Sequence, residues 1–315
     1  MFDVIVPTYK PPISLLKKCL ESIRNQTFQD YTVWICDGTP EDWMRYDAMQ
    51  KVFEEYPEFN YEKQTGEGVS QARNQIIEKG SNPYVAFLDA DDVWRDNYLQ
   101  NMYEEGIMKN HNESIQIWFS EIVENVPEVH EGYLENIGKQ GKVGIKIEKE
   151  RVIQRYDILN FIPLDYQIYF HACSALWFSA TIFTRKILEQ NPFRESLYIG
   201  EDTQLTLDCI SNGARTQYLP FIGAHRNNHS SQATVRWIKE DKGEWVDKQM
   251  KSIRPARDDL IEKLNADNSN NISSYQKNIL MVYLLGGKQR GFSFEGGSQS
   301  IYLISEEELE LEELR

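Results

Sequence analysis

The chain has 315 residues, 41% of them hydrophobic, which is enough to bury the core of a large globular domain. Its formal charge of −15 at pH 7 argues against nucleic acid or an anionic membrane surface as partner and favours a small molecule or a neutral polymer. No apolar run is long enough to cross a bilayer, and four scattered cysteines without a CxxC pair or a signal peptide predict reduced thiols and a cytoplasmic location, with peripheral membrane contact left open.

Strands and helices alternate over the first 92 residues. The first strand, FDVIVPTY, is followed by two prolines and then by a helix that we expect Ser14 to cap. Predicted strands lie at 2–9, 31–38, 59–64 and 84–92, and predicted helices at 14–27, about 41–56 and 69–80. Strands separated by helices indicate an α/β fold with a parallel sheet wound by right-handed crossovers.

Three polar residues fall at the carboxyl ends of these predicted strands, namely Tyr9, Asp37 and Asp89. In an open α/β sheet, ligands bind in the crevice beside the carboxyl ends of the strands. We therefore expect the three residues to converge on one ligand site.

The fourth predicted strand stops at a run of carboxylates, in the stretch YVAFLDADDVW from Tyr84 to Trp94. Asp89, Asp91 and Asp92 repel one another there, and a divalent cation would relieve that repulsion. Oxygen ligands favour Mg²⁺ or Mn²⁺. The alternative is a solvated acidic turn in which Asp92 caps the next helix.

Five motifs stand in a fixed order along the chain: VIVPTYK from Val4, QTFQDYTVWICDGT from Gln26, GEGVSQARNQ from Gly66, FLDADD from Phe87 and GEDTQL from Gly200. In this order and spacing they resemble the family 2 glycosyltransferases. GEGVSQ lacks the third glycine of the dinucleotide fingerprint and does not follow the first strand, which excludes a dehydrogenase.

The resemblance covers roughly residues 1–235 and implies the GT-A fold, a mixed and mainly parallel sheet flanked by helices. Within it we expect a nucleotide-binding half at 1–110 and an acceptor-binding half at 111–235. Residues 236–315 are predicted to form a helical C-terminal extension that ends in the acidic tail SEEELELEELR, for which a homodimer contact is one hypothesis.

The resemblance implies a nucleotide-sugar site, in which Asp37 accepts a hydrogen bond from the uracil imide and Asp89 lies on the ribose side. Its implied residues are Pro7, Thr8, Tyr9, Asp37, Arg73, Asp89 and Ala90. The usual motif has two acids before its glycine, and here Cys36 replaces the first, which leaves base selectivity open. Alternatives are a turn role for Asp37 and a surface salt bridge of Arg73 with Glu67 or Glu78.

The resemblance also implies the metal and base residues. Asp91 would bind Mn²⁺ or Mg²⁺, joined by His229 or, as the second choice, His225. Asp202 would be the base that takes the acceptor proton, and Glu201 would orient the site. The alternative is that both acids stand at a helix N-terminus because its dipole favours them.

Two residues of the acceptor-binding half are candidate acceptor contacts, His171 and Trp177. An indole face stacks well on the C–H face of a sugar, but core packing explains Trp177 equally well. The charged and glycine-containing stretch at about 121–160 is predicted to form a hairpin or a loop beside the site.

Together these features predict an inverting, metal-dependent glycosyltransferase that moves a sugar from a nucleotide diphosphate sugar, a uridine one by preference, to a hydroxyl of a glycan or sugar-bearing acceptor. A phosphohydrolase of the haloacid dehalogenase type is one alternative, because Asp89, Asp91 and Val93 match its DxDx(T/V) motif with Asp89 as nucleophile. A non-catalytic nucleotide-sugar-binding module, which Cys36 would suit, is the other.

Overall fold

The computed structural model describes residues 1–110, 115–125, 146–147, 150–152, 163, 166, 176–227, 259–269, 271–273, 277 and 280, with backbone alone for 124–125, 146–147 and 150–152. Within these residues ten strands form one mixed sheet in the order β3–β2–β1–β4–β9–β6–β10–β5, and β8 pairs with β6 and β7. The strands are β1 Phe2–Thr8, β2 Tyr31–Asp37, β3 Asn60–Lys63, β4 Tyr84–Phe87, β5 Val93–Trp94, β6 Ile117–Asn125, β7 Lys146–Ile147, β8 Glu150–Val152, β9 Thr181–Thr184 and β10 Thr216–Asn227.

The helices cover both faces of this sheet. They are α1 Ile13–Arg24, α2 Tyr46–Glu54, α3 Gly68–Lys79, α4 Tyr98–Asn101 with a π-helical continuation Met102–Ile107, a 3₁₀ turn Phe178–Ala180, α5 Arg185–Gln190 and α6 Glu201–Ser211. Helices α1, α2 and α4 pack on one face and α3, α5 and α6 on the other. Because β1 is covered on both sides, it is apolar almost throughout, as central strands of such sheets are.

The first four long strands confirm the predicted parallel arrangement, since β1 pairs in parallel with β2 and β4, and β2 with β3. The sheet then turns mixed, because β9 lies antiparallel to both β4 and β6. The structure is thus the mixed, mainly parallel sheet flanked by helices that the GT-A resemblance implies.

Two predicted helix starts are wrong. Ser14 does not cap α1, because Pro12 stands at the N-cap position and its carbonyl oxygen accepts from the amides of Leu15 and Leu16. Proline is tolerated at this place because the N-cap residue is itself not helical, here with φ of −59° and ψ of 118°, and because its missing N–H would have had no partner within the helix. The second helix begins at Tyr46 instead of about 41.

Part of the predicted C-terminal extension packs on the main core. Residues 259–266 are helical, and Leu260 and Leu264 are buried in the same apolar cluster as Phe119 and Tyr218. The acidic tail and its proposed dimer contact lie outside the described residues. The boundary at 235 remains a prediction.

At the edge of the sheet opposite the strand carboxyl ends, Arg185 and Asp3 form a buried ion pair. The guanidinium of Arg185 donates to an oxygen of Asp3 and to the carbonyl oxygens of Ile77 and Asn82, while Asp3 also accepts from the indole of Trp34 at 2.9 Å. The pair ties β1 to α3 and α5.

Replacing Arg185 should be strongly destabilising, because Asp3 is 1% exposed and would become an uncompensated buried charge. We expect Arg185→Ala to lower the free energy of unfolding by about 3–5 kcal/mol, measured by urea denaturation. The control is Arg194→Ala, which breaks an exposed pair with Asp208 and should cost under about 1 kcal/mol. Equal losses in the two variants would contradict this role of Arg185.

Candidate active site

The carboxyl ends of β1 and β2 meet as predicted. Thr8 pairs with Asp37 in the parallel register, and the amide of Gly38 donates to the carbonyl oxygen of Thr8 at 2.9 Å. The next residue, Tyr9, is half exposed and lies close to Gly38. Thr8 is buried and Pro7 partly so, which leaves Tyr9 as the accessible side chain of this first strand end.

Asp37 is fully buried and its carboxylate is occupied by residues of the chain. One oxygen accepts from the amide of Thr39 at 2.8 Å, and the other accepts from the hydroxyl of Tyr61 at 2.9 Å and from the ammonium of Lys63 at 3.3 Å. The turn role that was the alternative for Asp37 is therefore present. A base-contacting role would require the Tyr61 and Lys63 contacts to rearrange.

Cys36, the departure from the usual two-acid motif, points into the core. Its thiol is buried among apolar residues that include Ile5 and Ala72, and burial, with the nearby charges of Asp37 and Glu62, raises its pKa to about 12. The side chain at this position belongs to the core, so we expect the thiol that stands in place of the usual acid to affect packing and not ligand contact.

The three carboxylates after β4 occupy different environments. Asp89 is 44% exposed, Asp91 is partly buried and Asp92 is 4% exposed. Asp92 accepts from the hydroxyl of Ser179 at 2.7 Å and from the amide of Asn227 at 3.3 Å. Burial first, and the charges of Asp91 and Asp89 next, raise its pKa well above the usual range.

The proposed capping role of Asp92 is wrong, because α4 begins at Tyr98 and its N-cap residue is Asn97. Asp92 is instead the buried anchor of the acidic loop, the segment 88–92 between β4 and β5. The same Ser179 hydroxyl also accepts from the amide of Asp89 at 3.3 Å. The 3₁₀ turn that carries Ser179 therefore fixes the acidic loop at both Asp89 and Asp92.

The metal prediction is only partly covered by the structure. Among the described residues no group of three His, Cys, Asp or Glu side chains is arranged to hold a metal ion. His229 and His171 lie outside those residues, whereas His225 lies on β10 opposite Val93, beside the acidic loop. The residues nevertheless fit a divalent cation, since Asp91 supplies oxygen ligands and the carboxylates around it repel one another.

Arg73 joins the acidic loop after β4 to Glu201, the first residue of α6. Its guanidinium donates to Asp89 at 3.0 Å and to Glu201 at 2.9 Å, and its side chain is 3% exposed. The alternative pairing with Glu67 or Glu78 at the surface is therefore wrong. Phe87, Phe178 and Phe193 surround the guanidinium with ring centroids at 5.3–5.7 Å, which lowers the local dielectric and strengthens both ion pairs.

Glu201 and Asp202 open α6, as predicted, after Gly200 with φ of +73°. This left-handed conformation suits glycine and lets the chain enter the helix abruptly. Burial first and the charge of Asp202 next raise the pKa of Glu201 to about 7, against the lowering effect of Arg73. Burial also raises the pKa of Asp202, although its carboxylate accepts from the amide of Thr203 at 2.6 Å.

The hydrogen bond from the amide of Thr203 to Asp202 agrees with the alternative that these acids serve the helix N-terminus, because an acid that accepts from a first-turn amide stabilises the start of a helix. A raised carboxyl pKa, however, is what a residue poised to accept a proton near neutral pH needs. The Glu201–Asp202 pair shows both features.

Trp177 is partly buried and packs against the core, and the guanidinium of Arg226 lies 4.2 Å from its ring centroid. Both the core-packing alternative and a sugar-stacking role are compatible with this position. Ala90, also predicted to line the donor site, is 8% exposed.

Several residues at the site escaped prediction, among them Tyr61, Lys63, Ser179 and Asn227. Arg73 was predicted as a site residue, but its burial was not, although a signal existed, because Ile76 and Ile77 follow it by three and four residues and mark the buried face of α3. That spacing predicts a buried Arg73, and a buried arginine requires carboxylate partners.

Comparison with known proteins identifies the family. Residues 3–182 match the profile of Glycosyl transferase family 2, more than half of the chain. The chain belongs to this family. It is a glycosyltransferase, and this membership gives no support to the phosphohydrolase and non-catalytic alternatives.

Curated relatives are distant. The succinoglycan biosynthesis protein ExoW of Rhizobium meliloti is 24% identical over 252 residues, 77% of this chain and 76% of that protein. The GalNAc(5)-diNAcBac-PP-undecaprenol β-1,3-glucosyltransferase of Campylobacter jejuni is 26% identical over 64% of this chain and 57% of its own length. The Escherichia coli glucosyltransferase WfgD, named for UDP-Glc and α-D-GlcNAc-diphosphoundecaprenol, is 26% identical over 40% of this chain and 47% of its own.

Solved structures confirm the GT-A type of fold. TarS 1-349 of S. aureus in complex with UDP aligns with a TM-score of 0.54 at 15% identity, over 93% of this chain and 72% of that one. The mannosyltransferase PcManGT of Pyrobaculum calidifontis, in complex with GDP-Man and Mn²⁺, aligns with a TM-score of 0.50 at 14% identity, over 92% and 86%. In the part of the chain that the structure describes, every helix is too short or too polar to traverse a membrane.

Proposed function

We propose that this glycosyltransferase is inverting and metal-dependent, and that it transfers a sugar from a uridine diphosphate sugar to a hydroxyl of a sugar-bearing acceptor. The observation that carries the proposal is the link from Asp89 through Arg73 to Glu201, the residue that precedes Asp202 on α6. It brings the acidic loop after β4 and the start of α6 to one crevice at the carboxyl ends of the strands, where α/β folds bind ligands.

Asp202 is the proposed base. Inversion at the anomeric carbon needs a carboxylate that takes the proton of the attacking hydroxyl as oxocarbenium character develops. Desolvation raises the pKa of Asp202 and makes it a better proton acceptor than an exposed aspartate. Glu201, held by Arg73, keeps the first turn of α6 in place.

Asp91 is the proposed protein ligand of Mn²⁺ or Mg²⁺, together with His229. The cation would neutralise the charge that develops on the departing diphosphate. A divalent cation held by one or two protein groups would still be able to bind phosphate oxygens of the donor. Asp92, buried against Ser179, sets the position of that loop.

The names of related proteins support the proposed donor, a uridine diphosphate sugar, and the proposed acceptor, a sugar-bearing molecule. WfgD carries UDP-Glc in its name, and TarS has been solved with UDP. Two relatives are named for glycans linked to undecaprenyl diphosphate, which supports a sugar-bearing acceptor and a peripheral place at a membrane. PcManGT binds GDP-Man, so guanosine is the competing base.

The base prediction can be tested by thermal unfolding with nucleoside diphosphates and Mn²⁺. Uracil, thymine and guanine possess a ring imide or amide N–H that could donate a hydrogen bond to Asp37, whereas cytosine and adenine lack it. We expect UDP and TDP to raise the melting temperature more than CDP and ADP at equal concentration, with GDP as the arm that tests the competing base.

Two variants make this test specific. Asp37→Asn should reduce the preference for UDP over CDP, whereas Tyr61→Phe removes a neighbouring hydrogen bond but keeps the carboxylate and should retain the preference. Equal protection by UDP, CDP and ADP in the native protein would reject Asp37 as the base-reading residue.

A further inference from the structure

One face of α3 is fastened to the segment that leads into α6. Ser70, Arg73 and Asn74 are spaced i, i+3 and i+4 and so share a helix face. The hydroxyl of Ser70 donates to the carbonyl oxygen of Leu197 at 3.2 Å, and Asn74 exchanges two hydrogen bonds of 2.9 Å with the backbone of Phe193. Arg73 completes the attachment at Glu201.

We propose that Arg73 is a positioning residue that fixes Glu201, and through it the base Asp202, relative to Asp89, and that it is not a ligand of the nucleotide. The inference rests on the proposed function and reassigns the nucleotide contact that the family resemblance implied for this arginine. Glu201 is 128 residues away from Arg73 along the chain. Their contact therefore fixes the start of α6, which carries the proposed base Asp202, relative to Asp89 in the acidic loop.

The geometry favours positioning over phosphate binding. Two different nitrogens of the guanidinium hold two carboxylates, three phenylalanine rings surround it, and 3% of the side chain is exposed. An arginine that grips a phosphate presents its planar edge to the ligand. In Arg73 both terminal nitrogens, Nη1 and Nη2, already donate hydrogen bonds to carboxylates of the protein.

The pairing also has an electrostatic consequence for the base. Glu201 faces Arg73 from α3 and Asp202 from its own helix, and Asp202 in turn faces Asp89 from the loop after β4. Arg73 is the cation in this group, and it favours the charged forms of both Glu201 and Asp202. Without it the two acids would retain protons to higher pH.

The test compares Arg73→Gln with two controls in the full chain. Arg185→Gln breaks a buried arginine pair remote from α6, and Arg194→Gln breaks an exposed pair with Asp208 on α6 itself. The measurements are the Kd of UDP with Mn²⁺ by calorimetry, kcat for hydrolysis of a UDP-sugar across pH 5–9, and the pH dependence of the melting temperature.

A positioning role predicts that Arg73→Gln lowers kcat by about 10²-fold, since small misplacements of catalytic groups have effects of that size. The Kd of UDP should change by less than about threefold, and the acid limb of the rate profile should move to higher pH by roughly one unit or more. Both controls should keep the native kcat per folded molecule and the native acid limb.

Three results would overturn the inference. A Kd for UDP weakened tenfold or more at unchanged kcat would make Arg73 a nucleotide ligand. Loss of stability with native kcat and native pH profile, as expected of Arg185→Gln, would make it merely structural. If Arg73→Gln does not fold, Arg73→Met replaces it, because methionine fills the space between the three phenylalanine rings but can donate to neither carboxylate. Native kcat and a native acid limb in that variant would reject the proposal.

Failure of the proposed function is distinguishable from failure of this inference. If the native protein neither binds UDP nor hydrolyses any UDP-sugar, the proposed function is wrong. The pH dependence of the melting temperature then decides the role of Arg73 alone. If the pH dependence of the melting temperature shows that the Arg73 variant takes up protons at higher pH than the native protein, the ion pair of Arg73 with Glu201 is supported. If the pH dependence is the same in both proteins, the proposed role of Arg73 is rejected.

Discussion

Asp202→Asn is expected to lower turnover by roughly 10²–10⁴-fold while the affinity for the donor nucleotide stays nearly unchanged. Asparagine keeps the shape of the side chain and can still accept from the amide of Thr203, but it cannot take a proton at neutral pH. Kinetic constants and nucleotide affinity should be measured on the same preparation. Near-normal turnover would leave Asp202 with the helix-terminal role only, because asparagine and aspartate serve alike there.

Glu201→Gln is the matched control for that variant. Glutamine can still accept from Arg73, so a positioning role predicts a smaller loss than in Asp202→Asn. If the large loss is confined to Glu201→Gln, the base is Glu201. In the native protein a base must be deprotonated, so kcat/KM should fall as the pH is lowered through the raised pKa values of this pair, about 7 for Glu201.

Asp91→Ala is expected to abolish the Mn²⁺-dependent part of UDP binding and leave the fold intact. The negative charge of Asp91, together with that of Asp89, raises the pKa of Asp92. Removal of such a repelling charge seldom destabilises a protein. Calorimetric titration of UDP with and without Mn²⁺ measures the effect. Asp96→Ala, which removes an exposed aspartate five residues further on, should behave like the native protein.

Full Mn²⁺-dependent UDP binding and activity in Asp91→Ala would contradict its assignment as a metal ligand. A melting temperature far below that of Asp96→Ala would show that Asp91 serves the fold, as Asp92 does through Ser179.

The strands and their site-bearing ends were predictable because local patterns determine them. β1, β2 and β4 are apolar runs that stop at polar residues, and parallel pairing brings Tyr9, Asp37 and Asp89 to the same edge of the sheet. The start of α6 was predictable for the same reason, since its glycine, its two acids and the leucines that follow form a local signal.

The partners of the predicted residues were not predictable, because they come from distant parts of the chain. Sequence analysis placed Asp37 against a nucleotide base, but Tyr61 and Lys63 occupy its carboxylate from an edge strand whose sequence gives no sign of that contact. Predicted helix starts were wrong where backbone geometry outweighed side-chain preference. The N-cap of α1, for example, is Pro12 and not the predicted Ser14.

The most direct test of the proposed function is release of UDP by the native protein from a panel of uridine diphosphate sugars, measured with Mn²⁺ and again with excess EDTA. A metal-dependent glycosyltransferase should release UDP from at least one of these donors with Mn²⁺, by slow transfer to water in the absence of an acceptor, and should lose that activity with EDTA. Release that is equally fast in EDTA would contradict the proposed metal dependence. Release from a guanosine diphosphate sugar but from no uridine diphosphate sugar would contradict the proposed donor.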